Sequence, residues 1–152
     1  MVDRAFIGVV SEPRTIQVEK GQLKFFAKAT AEPNPIYSDE EAAKAAGYRA
    51  LPAPLTYLFC LNSAAPAQRG GVFTDMDVDQ SRILHGEQSF THHATIYAGD
   101  VITLTTKTTD IYTKKNGALE FVVQDTAAVN QDGVLCAEMR FVVVIRGEAA
   151  AP

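Results

Sequence analysis

Clustered basic residues are missing from this sequence: its acids and bases are interleaved, and its formal net charge is −4. Binding to a nucleic-acid backbone rests on grouped Lys and Arg, so no nucleic-acid partner is expected. Cysteine is scarce. Cys60 and Cys136 lie far apart, and neither stands in a CxxC or Cys/His metal spacing. They read as core thiols of a reducing compartment, and no metal site is expected. No apolar run approaches the roughly 20 residues needed to span a bilayer. The opening run Met-Val-Asp-Arg-Ala-Phe-Ile-Gly-Val-Val lacks the long apolar core and the small-residue cleavage site of a secretory leader. The expectation is a cytoplasmic chain with no membrane partner. Serine-nucleophile and zinc signatures are absent. Gly70-Gly71 lacks the strand-before, helix-after setting of a phosphate loop, so no nucleotide and no other cofactor is expected.

What is present suits one ordinary domain. The chain has 152 residues, of which 47% are hydrophobic, enough to bury a core without staples. We expect a single domain over 1–147 and a disordered tail over 148–152. From Glu19 to Thr30, Leu23, Phe26, Ala27 and Thr30 recur at helical spacing, and the helix should stop before Pro33. Ser38 then offers an N-cap, with Asp39, Glu40 and Glu41 in the first turn and Gly47 as the stop of a short helix. After Pro52 and Pro54, the run Leu55 to Ala65 is apolar on nearly every face, the mark of a helix buried on all sides. Residues 66–80 read as a mobile loop whose aspartates form a solvated face.

The second half reads as strands. Asn116-Gly117 and Asp132-Gly133 are hairpin signals between three runs rich in Val, Ile, Thr and Phe: Val101 to Thr113, Ala118 to Asn130 and Val134 to Arg146. In the last, Leu135, Ala137, Met139, Phe141, Val143 and Ile145 should face inward, leaving Val142 and Val144 as apolar outer positions. Long antiparallel strands curl, and curling around one buried helix satisfies both. The fold class expected is α+β.

Residues 31–37, Ala-Glu-Pro-Asn-Pro-Ile-Tyr, resemble the active-site run Gly-Asp-x-Asn-Pro-x-His of the MaoC-like (R)-specific hydratases and dehydratases. The resemblance extends through Asp39 to Gly47, Ala53-Pro54-Leu55-Thr56, His85-Gly86-Glu87-Gln88 and Ala98-Gly99-Asp100. It covers nearly the whole chain. It implies a single hot-dog fold, a long sheet wrapped around a central helix, and it is also similar to the non-catalytic subunit of the mycobacterial (3R)-hydroxyacyl-carrier-protein dehydratase.

That family's reaction needs a base for water, an acid for the α-proton and donors for an enolate-like oxygen. The resemblance places Glu32 at the aspartate and Tyr37 at the histidine. A phenol titrating near about 10 is a poor base beside an imidazole near about 6.5. Leu55 replaces the glycine of an Ala-Pro-Gly turn, adding bulk near the thioester carbonyl; the other reading of Leu55 is a core leucine opening the helix. The resemblance thus implies a substrate-tunnel subunit with a degenerate dyad, paired with a catalytic hot-dog subunit, for (R)-3-hydroxyacyl-thioester dehydration or enoyl hydration. Asn34, Leu55, Thr56, Tyr57 and Leu58 are its expected substrate-binding residues, and acyl-CoA or acyl-carrier protein its substrate. Two alternatives stay open: a homo-oligomeric hydratase using Glu32, Tyr37 or His85, and a non-enzymatic acyl-thioester binding module. His92 and His93 read as surface or interface histidines. A homo- or hetero-dimer is expected because the sheet must expose an edge.

Overall fold

Asn116 and Gly117 both adopt positive φ, as does Gly133, so the two turn signals become the reversals between the three long strands. In this computed structural model, residues 2–67, 73 and 78–147 are described. Their strands are β1 (Arg14–Gln17), β2 (Ile83–His92), β3 (Val101–Lys114), β4 (Leu119–Val129) and β5 (Leu135–Arg146). All pairings are antiparallel, in the order β1-β3-β4-β5-β2. The helices are α1 (Lys20–Ala29), α2 (Glu40–Ala45) and α3 (Tyr57–Ala64). The loop reading over 66–80 falls largely, and the tail over 148–152 wholly, outside the described residues.

Helix α3 lays Tyr57, Leu58 and Leu61 on Ile102, Leu104, Ala128, Ala137 and Met139 of the sheet. Eight helical residues span roughly 12 Å, whereas the fourteen of β3 span roughly 46 Å, so one helix leaves much of the sheet face uncovered. The N-terminal segment closes that gap: Val2 and Phe6 pack with Ile111, Val122, Val143 and Ile145 in a second apolar cluster. The Val2 N–H donates to buried Glu120 at 3.1 Å.

Five details differ from expectation, the first being Leu135, which is 37% exposed while Cys136 beside it is fully buried, where the β4–β5 register shifts. The cap of α2 is Asp39, whose carboxylate accepts from Glu41 and Ala42 N–H at 2.8 and 3.4 Å, and not Ser38, which lies one residue too early. The central helix begins at Tyr57, because Pro54, Leu55 and Thr56 form the turn that leads into it. It is not buried on all sides: Ser63 and Ala64 are exposed. Val142 and Val144 are not an exposed patch, being 5% and 8% exposed. Val144 lies between Phe121 and Leu84 in the pairing rows and under the β2 bulge, where a Cβ on Gly86 would sit 2.8 Å from its Cγ2. Gly86 is therefore a close backbone approach, as its place beside a bulge suggests.

Candidate functional site

The segment after α1 turns through Ala31 at positive φ and then ties itself together. Glu32 Oε1 accepts from the Asn34 N–H at 3.0 Å, and Asn34 Oδ1 accepts from the Ile36 N–H at 3.2 Å, capping the short 3-10 turn Pro35–Tyr37. Both side chains are exposed, and what they hold is the loop itself. Tyr37 of this run lines a cavity. Burial first, then the charge of Glu32 and the neighbouring Tyr48, push its phenol above the ordinary tyrosine value. The group at the histidine position is thus held more firmly in its protonated form than a free tyrosine.

The cavity measures 240 Å³. Tyr37 and Tyr48 line it from either end of α2. Pro52, Ala53, Pro54 and Leu55 come from the turn before α3, and Tyr57, Leu58 and Leu61 from α3 itself. The remaining wall is the last residue of β2, His92, and the strap that follows it to Ile96. Backbone bonds clamp strap to turn: Ala53 N–H to Ile96 O at 2.8 Å and Ala98 N–H to Leu51 O at 2.9 Å. The Ala98-Gly99-Asp100 run anchors the far end. Buried Asp100 accepts from Arg49, from the Tyr97 N–H and from Gln131, so its role here is structural.

Of the residues singled out from sequence, Tyr37, Leu55, Tyr57 and Leu58 meet in this cavity. Leu55 is 61% exposed at its rim, which rules out the core-leucine reading. Leu58 is buried at its floor. Thr56 is exposed at the N-cap of α3 and makes no side-chain cap. Glu32, Asn34, Thr56 and His85 are not part of the cavity wall. The His85 ring instead packs on Phe141 and Phe59, at 4.6 and 5.3 Å between centroids.

His92 and His93, read from sequence as surface or interface histidines, are exposed and also line the cavity, and His93 Nε2 meets Glu138 Oε2 at 2.9 Å. Tyr48 carried no sequence signal beyond following the helix-stopping Gly47. On the other side of α3 an apolar groove of 540 Å³ runs between β1, α1 and α3, sharing Tyr57 and Leu61 with the first cavity. Phe25, Phe26 and Cys60 line it, and the Tyr57 ring meets Phe26 edge-on at 5.3 Å. Among the described residues no group of three metal-ligating side chains occurs, and no helix is long and apolar enough to cross a membrane.

One antiparallel sheet on a short central helix, with a pocket where that helix begins, defines a hot-dog domain. A structure described as a MaoC-like dehydratase superposes on 95% of this chain and 43% of its own with a TM-score of 0.81 at 23% identity. The HadBC (3R-hydroxyacyl-ACP dehydratase) complex of Mycobacterium tuberculosis is similar over 91% of this chain and 96% of the matched chain, with a TM-score of 0.76 and 27% identity. A "UPF0336 protein" of Streptomyces avermitilis is 41% identical over 108 residues, 68% of this chain and 69% of that protein. The family profile described as "FAS1-like, dehydratase domain region" matches residues 5–139, and the chain belongs to that dehydratase-region family.

Proposed function

We propose that this chain is the acyl-pocket subunit of an (R)-3-hydroxyacyl-thioester dehydratase or trans-2-enoyl-thioester hydratase, working in the cytoplasm without a cofactor. A second hot-dog subunit supplies the Asp and His. The observation that carries this reading is Tyr37: it lines the pocket where the motif has histidine, and its surroundings keep the phenol protonated. Glu32, the other half of the dyad, is exposed and bonded to its own loop. The pocket and its apolar neighbour are retained while the base is not. The HadBC complex, a dehydratase of more than one kind of subunit, supports the pairing by similarity.

The test is hydration of trans-2-enoyl-CoA or the acyl-carrier thioester by the chain alone and with a hot-dog subunit carrying Gly-Asp-x-Asn-Pro-x-His. Alone it should be inert; the pair should turn over. Tyr37→His combined with Glu32→Asp should restore measurable turnover to the chain alone. Full activity of the unaltered chain would overturn the proposal.

One observation favours a second reading, a homo-oligomeric hydratase: His93, paired with Glu138, reaches the same pocket as Tyr37. A carboxylate-bonded imidazole is the arrangement a general base needs. In that case the unaltered chain turns over and His93→Gln abolishes it, while His85→Ala, outside the pocket, leaves it intact.

A further inference from the structure

Helix α2 carries a tyrosine just outside each end. Tyr37 closes the 3-10 turn before its Asp39 cap, and Tyr48 follows Gly47, whose φ of +90° reverses the chain. The Tyr48 N–H returns to Ala43 O at 3.0 Å, and Ala43 is fully buried against the core. Six helical residues span roughly 9 Å, so capped ends and a buried middle hold the two rings at a fixed spacing. Tyr48 is steadied further by Tyr97, 6.4 Å between ring centroids. Both tyrosines line the 240 Å³ cavity.

Neither hydroxyl donates a hydrogen bond among the described residues. Two phenols in the wall of one cavity can each donate a hydrogen bond to an oxygen bound there.

Resting on the acyl-thioester reading above, we infer that Tyr37 and Tyr48 together donate hydrogen bonds to the carbonyl oxygen of the bound thioester. The position that holds a base in catalytic relatives has become one arm of a two-phenol donor site. The electrostatics agree: burial first, with Glu32 and Tyr48 adding to it, holds the Tyr37 phenol in its donating, protonated form. Donors fixed where negative charge builds on a carbonyl oxygen also favour the enolate-like species of the family's chemistry over the resting thioester.

The experiment compares butyryl-pantetheine with its butyl thioether, which lacks only the carbonyl oxygen, by calorimetric titration into the full chain and its Tyr37→Phe, Tyr48→Phe and double variants. The unaltered chain should bind the thioester several-fold more tightly than the thioether. Each substitution should weaken thioester binding roughly two- to tenfold, the worth of one neutral hydrogen bond, and leave the thioether unchanged. With a carbon-13 carbonyl, the infrared stretch should fall on binding to the unaltered chain and return toward its free value in the double variant. If the thioester binds but the phenylalanine variants keep both its affinity and its carbonyl frequency, the two-phenol site is wrong and the acyl-binding reading stands. If neither ligand binds the unaltered chain, the acyl-binding reading falls and the two-phenol site with it.

Discussion

Arg14 Nη2 donates to Asn62 Oδ1 at 2.7 Å, which fastens the first strand to the end of the central helix. Arg14 is 8% exposed, and burial lowers its guanidinium below the ordinary arginine value while Nη1 reaches the carbonyls of Asn62 and Pro66 at 3.3 and 3.4 Å. The buried Nε has no partner, so this cation is already short of acceptors.

Removing the acceptor should therefore cost more than removing the cation. Asn62→Ala leaves a buried charge with two long carbonyl contacts and should destabilise by about 1.5–3 kcal/mol. Arg14→Met removes the desolvation penalty with the charge and keeps much of the volume, so it should cost less. Urea midpoints of the two variants check the order; Arg14→Met as the worse change would show the ion to be net favourable.

On the outer face, Arg140 grips Asp125 through Nε and Nη2 at 2.7 and 2.8 Å. The arginine hydrogen bonds hold the Asp125 carboxyl below the usual aspartate range against an opposing effect of burial. A carboxyl whose folded pKa is depressed stabilises above its unfolded pKa of about 3.9, and that stability is lost as pH falls through the folded value. The Asp125 side chain is 35% exposed and the arginine more so, which keeps the gain under about 1 kcal/mol. Asp125→Asn should flatten the acid limb of a stability profile below about pH 4 and lower stability slightly at pH 7. An unchanged acid limb would remove Asp125 from the account.

How much of this was legible beforehand follows from the range of each interaction. The three long strands were readable because Asn116-Gly117 and Asp132-Gly133 act within a few residues. The same holds for α1, whose apolar face recurs at helical spacing. Local rules still left an ambiguity at Ser38 and Asp39, two capping residues side by side, which the backbone resolves in favour of the second. The second core was invisible because Val2 and Phe6 belong to no periodic pattern, and only the shortness of α3 requires them. Outward-facing Val142 and Val144 obey the strand alternation; Val144 lies under a bulge on a neighbouring strand that sequence locates but does not orient. In the pocket, Tyr37 was found through the resemblance of its loop, whereas Tyr48, His92 and His93 arrive from segments far apart in sequence and carry no motif.

Strand β2 is an edge of the sheet, and Leu84 on it is 45% exposed. Since Val142 and Val144 are covered within the chain, the surface proposed for association is the edge itself and not an outer patch. Natural sheets rarely leave a ten-residue edge unpaired, so light scattering should return more than the 16.4 kDa of one chain at micromolar concentration. Leu84→Lys places a charge on that edge and should shift the mass toward the monomer. A monomer for the unaltered chain would leave the edge to a different partner.

On the proposed acyl-thioester function, the apolar groove sets an expectation for acyl chain length. It shares Tyr57 and Leu61 with the pocket, so an acyl chain whose thioester sits by Tyr37 and Tyr48 meets the groove's near wall first. Phe25, Phe26 and Ile16 then offer it nothing but hydrocarbon. Each buried methylene is worth up to about 0.8 kcal/mol, so two added carbons should tighten binding by roughly tenfold until the space is filled. Titration of saturated acyl-pantetheines of increasing length measures the slope directly. Tyr57→Ala, which removes the shared wall, should extend the length at which affinity stops rising, and Phe25→Asp should flatten the slope beyond that wall. Affinity independent of length in the unaltered chain would mean that the groove serves the fold or a partner instead of the acyl chain.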